Sequence, residues 1–148
     1  FRDHMSVPTC LSISADGYIL SSSGRDKVIN FYELRHKAHL KTIPVMEELE
    51  SVVILNSTDS HQLLTNINVG KEKKNELVYV VIAAGAHGVL HLFKIVMSGK
   101  DVKSFVCQSM YQIPTMHLQD DVTAHNPLHS ITRVEYIPFN SKLVVFTA

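Results

Sequence analysis

The stretch from Ser12 to Leu34, SISADGYILSSSGRDKVINFYEL, constrains the fold of this chain more than any other part of the sequence. Two alternating apolar runs flank Asp16-Gly17, a dipeptide typical of tight β-hairpin turns. A second turn, Gly24-Arg25-Asp26-Lys27, leads into Val28 to Tyr32, a run rich in residues that favour strands. The pattern predicts short antiparallel strands that are joined by tight turns.

Similar runs continue along the chain at short intervals. The predicted strands of the first unit cover residues 7–14, 18–23, 28–34 and 39–44. Met46 to Leu55 has helical spacing at its start but a β-rich end, and we predict a strand there because a four-stranded unit requires one. Residues 77–95 repeat the opening pattern, and residues 130–148 begin it again.

The chain therefore divides into three predicted units. They cover residues 1–45, 46–110 and 111–148, the second with a polar insertion at about residues 56–76 and the third truncated. Both ends of the sequence look cut, so we expect a piece of a longer protein. Because repeat units bury their faces only against neighbours, we expect an all-β array of about two and a half units that does not close on itself.

Composition excludes several function classes. The 14 basic residues balance the 14 acidic ones, so no basic excess points to a nucleic-acid groove. The longest apolar run, Leu77 to Ala86, is half of what a membrane span needs. Two cysteines, Cys10 and Cys107, do not make a disulfide framework, and we interpret them as buried thiols in a reducing compartment.

Motifs that carry catalysis or bind cofactors are not found in the sequence. No serine lies in a Gly-x-Ser-x-Gly motif, and Gly99-Lys100 precedes an aspartate rather than the Ser or Thr of a phosphate loop. The histidine pairs 36/39, 87/91 and 125/129 lie in turn or strand contexts, where such spacing does not bring two imidazoles to one zinc ion. Asp120-Asp121 is interpreted as a solvated loop pair. We predict no catalytic, cofactor-binding or metal site.

The turn-and-strand order resembles a WD40 repeat, the unit of a family of β-propellers. WD40 repeats carry Gly-His, a strand-borne Ser, a turn Asp and Trp-Asp at set offsets. Here Asp3-His4 takes the place of Gly-His, and Tyr32-Glu33 takes the place of Trp-Asp. The resemblance implies that each unit is one propeller blade.

The same resemblance implies a buried hydrogen-bonded network in the first blade. Its members would be His4, Ser22, Asp26 and Tyr32, with a structural rather than a catalytic role. In the second unit, Ala86-His87 stands where the turn Asp belongs. We therefore expect the second blade to lack this network.

Three fragments resemble a particular group of WD40 proteins more specifically. They are Ser23 to Lys27, Lys41 to Val45 and Glu48 to Leu55, and they are similar to the transducin-β-like WD40 family of the small-subunit processome. That resemblance implies a non-enzymatic scaffold in the nucleolus, which supports pre-ribosomal RNA processing for the 40S subunit. Its expected partners are other WD40 proteins of the processome B subcomplex, and U3 small nucleolar ribonucleoprotein and pre-ribosomal RNA mostly indirectly, with no membrane, cofactor or small-molecule substrate.

Two alternatives remain open at this stage. One is a WD40 peptide-binding adaptor in another pathway, such as a ubiquitin-ligase substrate receptor. Such an adaptor would need a basic pocket, and the basic residues Arg25, Lys27 and 71–74 are scattered. The other is a small β-sandwich enzyme, which the histidine and carboxylate spacings oppose.

Overall fold

The computed structural model describes residues 2–55, 60, 75–99, 101–114 and 130–148. Strands dominate this part of the chain, and they form three antiparallel sheets in the orders β1-β2-β3-β4, β5-β6-β7-β8 and β10-β9. The ten strands are β1 (Pro8–Ile13), β2 (Ile19–Gly24), β3 (Val28–Glu33), β4 (Ala38–Pro44), β5 (Leu49–Ile54), β6 (Glu76–Gly85), β7 (Val89–Ser98), β8 (Val106–Pro114), β9 (Ile131–Ile137) and β10 (Lys142–Thr147). The predicted all-β class is confirmed.

The turn between β1 and β2 forms as the Asp-Gly dipeptide predicts. Gly17 takes a positive φ of 69°, which costs glycine little because it has no Cβ. Asp16 Oδ1 accepts hydrogen bonds from the Ser14 hydroxyl at 2.6 Å and from the Tyr18 backbone N–H at 3.1 Å. The side chain of the aspartate thus satisfies backbone groups that the hairpin turn leaves unpaired.

The first hydrophobic core lies between the first and second sheets. Its fully buried members include Ile29 and Phe31 from β3, which belong to one cluster with Phe93 and Ile95 from β7. A second cluster joins the opposite face of the second sheet to β9. The second sheet is therefore covered on both faces, which explains why β6 is an unbroken apolar run rather than an alternating one.

Within the first sheet, strand β1 buries only one of its faces. On β1, Cys10 donates to Val52 O and Ser12 Oγ accepts from the Ile54 N–H, so these side chains face the second sheet. Leu11 and Ile13 alternate with them and are 63% and 56% exposed. Strand β1 thus presents apolar side chains to solvent, whereas β2 and β3 are almost entirely buried.

Several sequence expectations can be compared with these strands. The ambiguous run from Met46 to Leu55 contains β5, so its prediction as a strand is confirmed. Strand β8 ends at Pro114, and its last residues pair with the start of β7. Most of the insertion at 56–76 lies outside the described residues. The three sheets span residues 8–44, 49–114 and 131–147, and the unit boundaries stay predictions.

The two cysteines carry free thiols in partly buried positions. Both pack against the core between the first two sheets, and burial raises the pKa of Cys107 to about 11. A high pKa makes this thiol a poor nucleophile at neutral pH, as for other structural cysteines. No helix among the described residues is long and apolar enough to cross a membrane.

We predict that the isolated 148-residue chain self-associates in dilute solution. The exposed Leu11 and Ile13 face and the edge of β10, which pairs only with β9 in the described chain, can be covered only by another surface. Sedimentation velocity should show oligomers, and a variant with Leu11→Ser and Ile13→Ser should show fewer. A monodisperse monomer that unfolds cooperatively would contradict this prediction.

Candidate functional site

Three of the residues singled out in the first unit lie together beside the β2–β3 turn. His4 Nδ1 lies 2.9 Å from Asp26 Oδ2, and His4 Nε2 lies 2.6 Å from Ser22 Oγ. The backbone N–H of Met5 also donates to Asp26 Oδ2, at 2.8 Å. The Asp26 carboxylate therefore ties the segment that precedes β1 to the β2–β3 turn.

The chemistry of the carboxylate fixes the direction of one hydrogen bond in this cluster. An ionised carboxylate only accepts, so His4 Nδ1 donates to Asp26, while His4 Nε2 shares its hydrogen bond with the Ser22 hydroxyl. Burial by itself would raise the pKa of Asp26, but the hydrogen bonds from His4 and the Met5 N–H outweigh it and lower the pKa below 3.8. The folded structure thus favours a charged Asp26.

Tyr32, the fourth predicted member, adjoins this cluster through a different contact. Its hydroxyl hydrogen-bonds to Asp3, and its ring meets the His39 ring edge-on, with centroids 5.4 Å apart. Burial first, and the bond to Asp3 second, raise the pKa of Tyr32 to about 12. The aromatic residue in the Trp position therefore connects the segment that precedes β1 with strand β4.

Gly24 allows residues 2–7, the lead-in segment of the first unit, to approach the turn so closely. The lead-in segment of the second unit is formed by residues 45–48. A Cβ atom on Gly24 would lie 2.7 Å from Asp26 Oδ1 and 2.9 Å from His4 Nδ1. Because real Cβ contacts are not this short, any larger residue would push the imidazole and the carboxylate away from the strand. The glycine and the hydrogen-bonded pair therefore form one packed unit.

The second unit has no carboxylate in its β6–β7 turn, but it contains a buried pair that sequence analysis missed. Glu47 is 2% exposed, and its carboxylate accepts from the His87 backbone N–H at 2.6 Å and contacts His91 Nε2. Burial would raise the pKa of Glu47, but the His91 and His87 hydrogen bonds outweigh it and lower the pKa below 4.5. The second blade therefore holds its turn with a different carboxylate–imidazole pair, which the sequence analysis did not anticipate.

The pair was missed because the WD40 pattern places the acid in the turn. Glu47 belongs to a Glu-rich stretch, and His91 was considered only as a candidate zinc ligand. A match of Gly85 with Gly24 would have offered a usable signal, because it places His91 on the third strand of its unit, opposite Ala83.

A third buried carboxylate closes the β3–β4 turn. Glu33, which takes the Asp place of Trp-Asp, accepts from the Arg35 N–H at 2.7 Å and the His36 N–H at 2.8 Å. His36 Nδ1 also lies 2.9 Å from Glu33 Oε2. This geometry explains why a fully buried acid is tolerated at the end of β3, since every oxygen has donors.

Polar side chains also connect neighbouring sheets at their first strands. Ser51 Oγ accepts from the Val134 N–H on β9 at 3.0 Å, as Ser12 Oγ does from β5. The Tyr79 hydroxyl on β6 donates to Asp16 Oδ2 in the β1–β2 turn, at 2.5 Å. Backbone and side-chain hydrogen bonds therefore fix the sheets relative to one another beyond their apolar contacts.

Metal ligands do not gather in the described part of the chain, where no three His, Cys, Asp or Glu side chains could share an ion. His36 contacts Glu33 and His91 contacts Glu47, so these two imidazoles serve buried carboxylates. His125, His129 and Asp120-Asp121 lie outside the described residues.

Solved structures share this arrangement of sheets. The chain is similar to a chain in the crystal structure of the mitotic checkpoint complex, with a TM-score of 0.60, 12% identity and coverage of 99% of this chain and 36% of that one. It is also similar to the RRP9 WD40 repeats, with a TM-score of 0.51, 13% identity and coverage of 98% and 38%. The fold is that of a WD40 β-propeller, of which the sheets are consecutive blades.

Sequence comparison narrows the resemblance within this class. The chain is 40% identical over 60 residues to transducin β-like protein 3 from Bos taurus, a match that covers 40% of this chain. The same match covers 8% of that protein, so the chain spans only a small part of its relative's length. No family model matches the chain. The chain is thus a piece of a WD40 propeller that resembles transducin β-like protein 3.

We predict that Asp26→Ala lowers the free energy of unfolding of the full-length protein by about 1–3 kcal/mol. The change leaves the buried His4 imidazole and the Met5 N–H without their acceptor. Urea denaturation would measure the loss. Glu48→Ala, which removes an exposed carboxylate from the next lead-in segment, is the control and should change stability by less than about 0.5 kcal/mol. A neutral effect of Asp26→Ala would mean that the turn is solvated.

The buried carboxylates also predict a loss of stability in acid. Asp26 and Glu47 have folded pKa values below their ordinary 3.8 and 4.5, so the unfolded chain takes up these protons at higher pH than the folded one. The stability that they contribute is complete above these ordinary values and is lost as pH falls through the lower folded ones. Denaturation midpoints measured from pH 6 to pH 2.5 should fall in this window, and Asp26→Asn should flatten the decline. An unchanged decline in the variant would exclude a contribution from Asp26.

Proposed function

We propose that the protein containing this chain is a non-enzymatic WD40 scaffold of the U3-containing small-subunit processome. It works in the nucleolus and supports pre-ribosomal RNA processing and production of the 40S subunit. The observation that carries this proposal is the 40% identity over 60 residues to transducin β-like protein 3. The shared propeller fold does not by itself specify function, so the proposal rests on this sequence identity.

The geometry of the polar groups supports a scaffold rather than an enzyme. Asp26, Glu33 and Glu47 each accept backbone N–H groups and an imidazole from within the chain, so their charge stabilises turns. A catalytic acid or base instead needs a lone pair or proton that faces a substrate. The described carboxylates with the lowest exposure are thus committed to holding loops on a rigid sheet framework.

The charge balance supports protein partners. With formal net charge +0, the chain has no excess of basic residues that would favour direct binding to RNA phosphates. We propose other WD40 proteins of the processome B subcomplex as the direct partners, with U3 small nucleolar ribonucleoprotein and pre-ribosomal RNA contacted mostly through them. Propeller rims and loops present such partners with recognition surfaces.

Affinity purification of the full-length protein tests this proposal. We expect tagged protein to recover other processome WD40 proteins together with U3 RNA in a complex that survives moderate salt. Depletion should cause precursors of the small-subunit RNA to accumulate, and re-expression of the full-length protein should reverse the defect. Recovery of neither component, with normal RNA processing after depletion, would overturn the proposal.

A WD40 peptide-binding adaptor is the second candidate. The observation that favours it is a pair of exposed methionines, Met5 at 98% and Met46 at 86% exposure, in the lead-in segments of adjacent blades. Methionine side chains adapt to varied apolar partners and are frequent at peptide-binding surfaces. Co-purification of substrate proteins and a ubiquitin ligase, in place of processome components, would favour this candidate.

A further inference from the structure

The first two blades share an anchor that allows their residues to be matched one to one. In the first, the Arg25 N–H donates to Val7 O at 3.1 Å, and in the second, the Ala86 N–H donates to Glu48 O at 3.0 Å. The residue before each donor is a glycine at the end of the second strand. A Cβ on Gly85 would lie 1.9 Å from Glu48 O, and a Cβ on Gly24 would lie 3.1 Å from Val7 O.

Counting from these anchors defines the equivalent positions. We use lead-in segment for residues 2–7 of the first blade and 45–48 of the second. The strand registers Ser22↔Asn30 and Ala83↔His91 extend the match into the third strand of each blade. Four pairs of positions matter here, namely Met5 with Met46, Ser6 with Glu47, Asp26 with His87, and Asn30 with His91.

In both blades, a buried carboxylate connects the lead-in segment to the turn between the second and third strands, but it comes from opposite segments. In the first, the acid Asp26 is in the turn and accepts the N–H of Met5 in the lead-in segment. In the second, the acid Glu47 is in the lead-in segment and accepts the N–H of His87 in the turn. The roles of the two segments as donor and acceptor are therefore exchanged.

The imidazoles that pair with these carboxylates also come from different segments in the two blades. His4 reaches Asp26 from the lead-in segment, whereas His91 reaches Glu47 from the third strand. Asn30 holds the position of His91 in the first blade, and its Nδ2 is the one buried side-chain nitrogen or oxygen without a partner in the described chain. That orphan fits the exchange, because Ser6 replaces Glu47 and offers no carboxylate there.

We propose that Glu47 and His91 form a latch that holds the second lead-in segment on the β6–β7 turn. This latch does in the second blade, with donor and acceptor segments exchanged, what Asp26 and His4 do in the first. Its consequence is that Met5 and Met46, at equivalent positions, are held on one rim of adjacent blades. Burial makes the latch cooperative, since either partner alone would leave a desolvated polar group unpaired.

Hydrogen exchange on the full-length protein tests the latch at its own backbone contact. In Glu47→Ala, amide exchange at His87 should accelerate about tenfold or more, because the N–H loses its acceptor, while exchange at Met5 stays unchanged. Asp26→Ala should show the reverse pattern, with Met5 accelerated and His87 unchanged. Glu48→Ala, which removes the neighbouring exposed carboxylate, is the matched control and should alter neither amide.

Unchanged exchange at His87 in Glu47→Ala would overturn the latch. Equal acceleration at His87 and Met5 would also overturn it, because it would show a general loosening rather than a local contact. Should Glu47→Ala fail to fold, Glu47→Gln supplies the same readout. Its amide keeps one acceptor, so His87 exchange should accelerate by a smaller factor, and no acceleration would again reject the proposal.

A double-variant cycle tests whether the two side chains act as one unit. Glu47→Ala and His91→Ala should each accelerate His87 exchange, and the combined variant should accelerate it no more than the stronger single variant does. Multiplication of the two factors in the combined variant would show independent contributions and would reject the pair as a latch.

Discussion

Burial of both faces of the β5–β8 sheet is the interaction on which the rest of the structure depends. One face packs on the first blade and the other on β9, so that β6 lies between two apolar cores. A single four-stranded sheet cannot cover two apolar faces by itself, and stacking is the solution that repeat proteins use. The positions of the described turns follow from how these sheets stack.

Close stacking also requires each lead-in segment to lie directly against the end of the second strand of its own blade. Gly24 and Gly85 make room for that approach, and backbone N–H groups meet the carbonyls of Val7 and Glu48. Such tight packing excludes water from nearby polar groups, which must then find partners within the protein. The buried carboxylates of Asp26 and Glu47 meet this need in the two blades, because each pairs with an imidazole and a backbone N–H.

The Asp26 and Glu47 contacts show how a repeat fold tolerates loss of its sequence pattern. The second blade lacks the turn aspartate of WD40 repeats, yet its acid in the lead-in segment makes the same contact. The contact between lead-in segment and turn forms whichever of the two segments supplies the charge, so a blade can keep its shape without the usual motif. Glu33 follows the same logic in the place of the Trp-Asp aspartate, where its oxygens accept from the turn that follows.

The amino-acid sequence by itself determined the class of fold and the local turns. Asp16-Gly17 and Gly24 specify backbone conformations within a few residues, and alternating or continuous apolar runs report strands, because both depend on near neighbours in the chain. The strand in Met46 to Leu55 could be chosen only by assuming a four-stranded unit, and its pairing with β6 decided it. Only the tertiary structure decided that Glu47 meets His91, because the two residues are 44 positions apart in the sequence and their contact depends on strand register and sheet stacking.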